Sequence, residues 1–181
     1  MSEMEHKRLK RLDASYYKGR SYVHWTLTIK GRKTGWLDET HHQALRELLF
    51  HTCARFYLTC PTYCLMPDHA HFLFVGLNQG ADQLAAQKWM CRAWNALLKP
   101  YSVQEQAYDN VLRESDRSRD AFAAVAGYIL RNPFRKELVD DWQEWHFSGA
   151  IFPGYPKLDP RKVHFWENYW KAYIKQGEDE G

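Results

Sequence analysis

Apolar and polar positions divide the chain into short blocks whose period changes along the sequence. Tyr22-Val23-His24-Trp25-Thr26-Leu27-Thr28-Ile29 is rich in β-branched and aromatic side chains and predicts a first strand. A basic loop follows between Gly31 and Gly35, and Asp38 can cap the segment after it. Ala44, Leu45, Leu48, Leu49, Cys53 and Phe56 recur at helical spacing and predict a first helix, which Pro61 is expected to bring to an end. Tyr63 to Met66 reads as a second strand, Pro67-Asp68 as a turn, and Ala70 to Val75 as a further extended run. A second helix, capped near Asp82 and stopped by Pro100, carries Leu84, Cys91, Trp94 and Leu98 on one face. A short strand is expected near Val111-Leu112. Asp116 or Ser118 then caps a third helix with the stripe Phe122, Val125, Ala126 and Ile129. Pro133 disfavours helical geometry in the residue before it, so Asn132 is expected at or just past the last turn. Residues 141–160 look irregular, with Pro153-Gly154-Tyr155-Pro156 as a surface loop. A last amphipathic helix over 160–176 carries Val163, Trp166, Tyr169, Trp170 and Tyr173.

This order, strand–helix–strand–strand–helix–strand–helix, predicts an α+β chain. The expected architecture is ferredoxin-like (split βαβ): an antiparallel sheet with helices on one face, plus a C-terminal helical extension. The divisions read as a basic N-terminal arm over 1–20, a main domain over 21–140 and an extension over 141–181.

The 181 residues are enough for one full hydrophobic core. Aromatics reach 15% with eight tryptophans, a surplus that mostly fills the core and can leave a few rings for stacking on bases. A net charge of +3 permits nucleic-acid binding without requiring it. That charge is unevenly placed. Lys7, Arg8, Lys10, Arg11, Lys18 and Arg20 crowd the start, and Glu178, Asp179 and Glu180 lie near the end. The basic start reads either as a phosphate-binding arm or as a solvated terminus. No run of 18 apolar residues occurs, so no membrane span is expected. The charged N-terminus lacks a signal core, which places the expected location in the cytoplasm, with Cys53, Cys60, Cys64 and Cys91 reduced.

The candidate chemistry lies in Leu65-Met66-Pro67-Asp68-His69-Ala70-His71-Phe72-Leu73-Phe74-Val75. On a strand, residues two apart share a face, so His69 and His71 project side by side, as a divalent metal requires. The competing reading is a pair of hydrogen-bonded structural histidines. Tyr128 and Asn132 lie four apart on the third helix and also share a face. Tyr128 falls at the border of the buried stripe, where a tyrosine is often a core residue with its hydroxyl at the surface. Arg131, Arg135 and Lys136 crowd nearby, either as a phosphate-binding cluster or as favourable charge at a helix C-terminus. Cys60, Cys64, His69 and His71 could form a zinc site, although their spacing differs from that of a zinc finger. No Gly-x-Ser-x-Gly nucleophile elbow and no phosphate-cradling glycine loop is present.

With these residues assembled, the chain resembles the REP-associated tyrosine transposases, a branch of the single-tyrosine HUH nuclease superfamily. Tyr63-Cys64-Leu65-Met66-Pro67-Asp68-His69-Ala70-His71-Phe72-Leu73 is similar to that family's metal strand. Gly127-Tyr128-Ile129-Leu130-Arg131-Asn132-Pro133-Phe134-Arg135 is similar to its tyrosine helix. Val111-Leu112-Arg113 and Trp145-His146-Phe147-Ser148-Gly149 add a weaker third likeness. Asp68 stands where such proteins more often carry asparagine, and the tract from Tyr101 to Tyr108 lacks a glycine- and tryptophan-bearing stretch.

The resemblance implies an HUH transposase-like catalytic domain over 21–140. It implies Mg²⁺ or Mn²⁺ on His69, His71 and Asn132, and Tyr128 as the nucleophile that forms a 5′-phosphotyrosine. The implied substrate is single-stranded or hairpin DNA from repeats, contacted by Arg113, Arg131, Arg135, Lys136 and by Lys7, Arg8, Lys10 and Arg11 of the arm. Both a monomer and a homodimer fit the resemblance. The alternative is a catalytically silent nucleic-acid-binding module on the same fold, and a structural-zinc interaction protein is a third possibility.

Overall fold

A computed structural model describes residues 10–178. Lys7, Arg8, Asp179 and Glu180 lie outside the described residues. Five strands form one antiparallel sheet: β1 (Tyr22–Thr28), β2 (Leu58–Met66), β3 (His69–Gly76), β4 (Tyr108–Val111) and β5 (Ser148–Ile151), in the spatial order β4-β1-β3-β2-β5. β3 lies antiparallel between β1 and β2, whose crossover is α1 (Glu39–Arg55). α2 (Gln83–Leu98) makes the second crossover, from β3 to β4. This is the split βαβ arrangement, with β5 added at the β2 edge.

Asp38 and Asp82 cap α1 and α2 by accepting hydrogen bonds from the amides of His41 (2.8 Å) and Ala85 (3.0 Å). Ser118 does the same for α3 (Arg119–Leu130), through Ala121 at 3.4 Å.

Alternation along the central strands divides the interior in two. Val23, Trp25 and Leu27 of β1 and Ala70, Phe72 and Phe74 of β3 pack with α1 and α2 on one face. Leu73 and Val75 point to the other face, where Phe122, Ala126 and Ile129 of α3 meet Phe165, Tyr169 and Tyr173 of α5 (Phe165–Glu178). The helices expected on one face are α1 and α2. The opposite face is closed by α3 and the C-terminal helix, so the 141–181 segment supplies both β5 and half of the second layer. Phe122 is fully buried among Tyr22, Trp166, Tyr169 and Trp170. We therefore expect Phe122→Ala to lower stability by about 3–5 kcal/mol, read as a shift of the urea midpoint.

Three local expectations are corrected. Pro61 does not interrupt the chain ahead of a strand at Tyr63; β2 already begins at Leu58 and runs through it. The register shifts between Thr59 and Thr62 against β3 and between Cys60 and Tyr63 against β5, so the proline occupies a bulge where the ladder needs no N–H. The last helix begins at Phe165, and Val163, expected on its apolar face, is 94% exposed. Finally, the irregular stretch contains β5, whose Ser-Gly-Ala-Ile sequence has little strand character and is held by pairing to β2. No helix among the described residues is long and apolar enough to cross a membrane.

Candidate active site

β3 presents His69 and His71 on the face covered by α3 and α5. In the pairing register His71 stands between Thr26 of β1 and Cys64 of β2, and His69 between Thr28 and Met66. Their Nε2 atoms face each other at 3.1 Å, with the rings perpendicular. Two imidazole nitrogens bound at about 2.1 Å to one ion, at a right angle, stand about 3 Å apart. The separation suits one shared cation and equally suits a hydrogen bond between the two rings.

The outer ring nitrogens are also placed. His69 Nδ1 lies 2.6 Å from Asp68 Oδ1, and the second oxygen of that carboxylate accepts a 2.9 Å bond from Arg32 Nη1. Partial burial opposes ionisation of Asp68, but the bonds from His69 and Arg32 hold its carboxyl below the usual range. A carboxylate at Nδ1 puts the proton there and leaves the Nε2 lone pair for a metal. His71 Nδ1 meets His24 Nε2 at 3.0 Å and Thr26 Oγ1 at 3.1 Å. Burial, then the His24 and His69 imidazoles, push His71 down to about 3, and burial pushes His24 down to about 4. Both are neutral rings near pH 7, the form that ligates metal.

Asn132 opens a single-turn helix, α4 (Asn132–Arg135), one residue beyond α3. Pro133 does not merely end the third helix; it sits in the first turn of the next one, where its missing N–H is harmless. Asn132 is buried, and its Nδ2 donates to the carbonyls of Ile129 (3.2 Å) and Tyr128 (3.3 Å). Both amide hydrogens are thereby used, which leaves Oδ1 as the atom able to meet a cation. Among the described residues no three His, Cys, Asp or Glu side chains form a ligand cluster. The Tyr128 ring, near the end of α3, is 52% exposed, with the Arg135 guanidinium of α4 4.3 Å from its centroid. Arg131 folds back over Gly127, where any Cβ would lie only 2.8 Å from its Nη2.

The imidazole pair with its partners lies on the sheet face that α3 covers, and Tyr128 and Arg135 lie at the end of α3 and in α4. No hydrogen bond joins the phenol to either imidazole. Arg113, Arg131, Arg135 and Lys136 are exposed, and so is Lys10. Arg11 is engaged inside the fold: Nε pairs with Asp109 at 3.0 Å, Nη2 bonds to the Ala107 carbonyl, and the guanidinium lies over Trp25. The Cys₂His₂ alternative finds no assembly. Cys60 is buried in the α1/α2 core and donates to the Thr62 carbonyl, on the far side of the sheet from the histidines. Cys64 packs in the other core, its thiol 3.9 Å from the Met66 sulfur.

Sequence reading had not given His24, Thr26, Asp68 or Arg32 a role in the site. The polar even positions of β1 were a visible signal, but their partner depended on register.

Buried neutral histidines also carry a pH consequence. Besides His24 and His71, a third histidine, His42 on α1, is also lowered, by burial and by Arg46, and shares a 2.9 Å hydrogen bond with the Tyr63 hydroxyl. All three titrate lower in the fold than the unfolded value near 6.5. The unfolded chain then binds more protons as pH falls below about 6.5, so stability is full above that pH and is lost on the way down. We expect the melting temperature of metal-free protein to drop by roughly 5–10 °C between pH 7 and pH 5. His42→Gln should flatten part of that slope, as scanning calorimetry across the pH range can test.

No family model matches the chain, and no curated protein matches it. Among solved structures, it is similar to the REP-associated tyrosine transposase described as bound to a REP hairpin. The TM-score is 0.63, with 20% identity over 82% of both chains. That likeness shows the fold: this chain has the fold of a REP-associated tyrosine transposase.

Proposed function

We propose that this protein cuts and rejoins single-stranded DNA next to hairpin-forming repeats, with Tyr128 as nucleophile and His69, His71 and Asn132 as the holders of a Mg²⁺ or Mn²⁺ ion. The observation that carries the reading is the convergence of two Nε2 atoms at 3.1 Å, each with a hydrogen-bond partner at its Nδ1, which for His69 is the Asp68 carboxylate. Imidazole and amide-oxygen donors suit Mn²⁺ and admit Mg²⁺. When bound, such an ion neutralises phosphate charge and orients the phosphorus.

The chain's own residues do the rest. Tyr128 Oη gives up its proton and bonds to phosphorus as the P–O3′ bond breaks, and the departing 3′ oxygen takes up that proton equivalent to leave as a hydroxyl. The product is a 5′-phosphotyrosine, which conserves the phosphodiester and lets another 3′-hydroxyl reverse the step. Arg135, stacked on the phenol, brings a positive charge to the point where the phosphate arrives. Exposed Arg131, Lys136, Arg113 and Lys10 add salt-dependent affinity for the strand. The solved transposase, bound to a REP hairpin, supports the choice of substrate.

The test is incubation of the full chain with end-labelled hairpin oligonucleotides carrying a single-stranded flank, plus Mn²⁺, followed by denaturing electrophoresis. A slow-migrating adduct is the expected product. Tight hairpin binding with no adduct under any divalent metal would mean a silent binding module instead.

A further inference from the structure

Lys30, Arg32 and Lys33, all exposed, crowd the connection between β1 and α1. The backbone turns through Gly31 (φ 69°) and again through Arg32 (φ 50°), left-handed conformations that glycine adopts freely and arginine rarely. This turn is fastened to the one that carries the metal pair. At its start the Ile29 amide donates to the Asp68 carbonyl at 2.9 Å, and at its end the Trp36 indole donates to the Pro67 carbonyl at 2.7 Å. A third point ties the Lys30 amide to the Ser102 carbonyl at 2.8 Å. The Arg32 guanidinium then reaches Asp68, whose other oxygen holds His69. One carboxylate thus separates this basic turn from a metal-ligating imidazole. Among the described residues only Arg32 of the three cations is matched by a carboxylate. Lys30 and Lys33 leave two unbalanced ammonium groups on a turn fixed at both ends.

We propose that the Lys30–Lys33 turn is a phosphate grip for the DNA strand entering the active site, with the Arg32–Asp68 pair holding it in register with His69. The proposal rests on the reading of the imidazole pair as a cleavage centre and adds the contact surface beside it. Ammonium groups act as point charges and read no base edge, so this contribution is independent of sequence and sensitive to salt.

The test is equilibrium binding of a fluorescent hairpin with a single-stranded flank, across about 50–300 mM salt, to three full-length proteins: wild type, Lys30→Ala/Lys33→Ala, and a charge-matched control, Lys157→Ala/Lys162→Ala. The first variant should bind about tenfold more weakly at low salt, with the slope of log affinity against log salt reduced by about 1.4, the value for two single-strand phosphate contacts. Its melting temperature should match wild type, because both side chains are exposed. Unchanged affinity and slope, or an equal loss in the control, overturns the grip. If wild type still forms the covalent adduct in that case, only the grip has failed; if wild type neither binds nor forms an adduct, the cleavage reading falls with it.

Discussion

Tyr128→Phe is expected to abolish the denaturant-resistant protein–DNA adduct while leaving hairpin affinity within a factor of about two of wild type. The substitution removes one atom, Oη, from a ring that is half exposed and whose hydroxyl makes no hydrogen bond within the described residues. The phenyl ring keeps its place beneath Arg135, so the packing of α3 and the charge around it are preserved. Surface changes of this kind stay within about 0.5 kcal/mol. Loss of a nucleophile, by contrast, costs roughly 10⁴–10⁶ in rate, enough to clear the adduct band from a gel while fluorescence anisotropy still reports binding. An adduct that persists in Tyr128→Phe would move the chemistry elsewhere, first to the other exposed tyrosines, Tyr16, Tyr57 and Tyr108.

The second large effect concerns the ligands. His69→Gln and His71→Gln keep a polar side chain of similar reach but remove an imidazole nitrogen from the pair. We expect each to weaken Mn²⁺ binding, measured by isothermal titration calorimetry without DNA, by more than a hundredfold, and to slow cleavage by about a thousandfold. Asp68→Asn is the graded member of the series. A carboxamide can still accept from His69 Nδ1, but it gives up the charge and the full-strength link to Arg32. Its Mn²⁺ affinity should fall by about 10–100-fold, the range typical of a lost outer partner. A calorimetric titration indistinguishable from wild type in both glutamine variants would dismiss these histidines as metal ligands.

What could be read from the sequence divides by distance along the chain. That His69 and His71 share a strand face was legible because a strand repeats every two residues; Asn132, expected on the helix of Tyr128 at or just past its last turn, instead opens the next helix. The order of strands and helices predicted the split βαβ layout, and Asp38, Asp82 and Ser118 were readable as caps. The partners of the pair were not readable. His24 and Thr26 reach His71 from 47 and 45 residues away, through a register that only the assembled sheet defines. Arg32 reaches Asp68 across 36 residues because two separate hydrogen bonds draw the connections together. β5 stayed hidden because three of its four residues, Ser148, Gly149 and Ala150, are small and its pairing with β2 alone makes it a strand. Pro61 misled for the opposite reason: a strong local signal was absorbed by a bulge.

The C-terminal helix has a mechanical consequence for α3. Phe122 of α3 is packed against Trp166, Tyr169 and Trp170 of α5. Tyr128 shares α3 with Phe122, so the seat of the phenol is set by aromatic side chains remote in sequence rather than by its neighbours along the chain. A substitution that loosens α5 is therefore expected to displace the phenol without touching it.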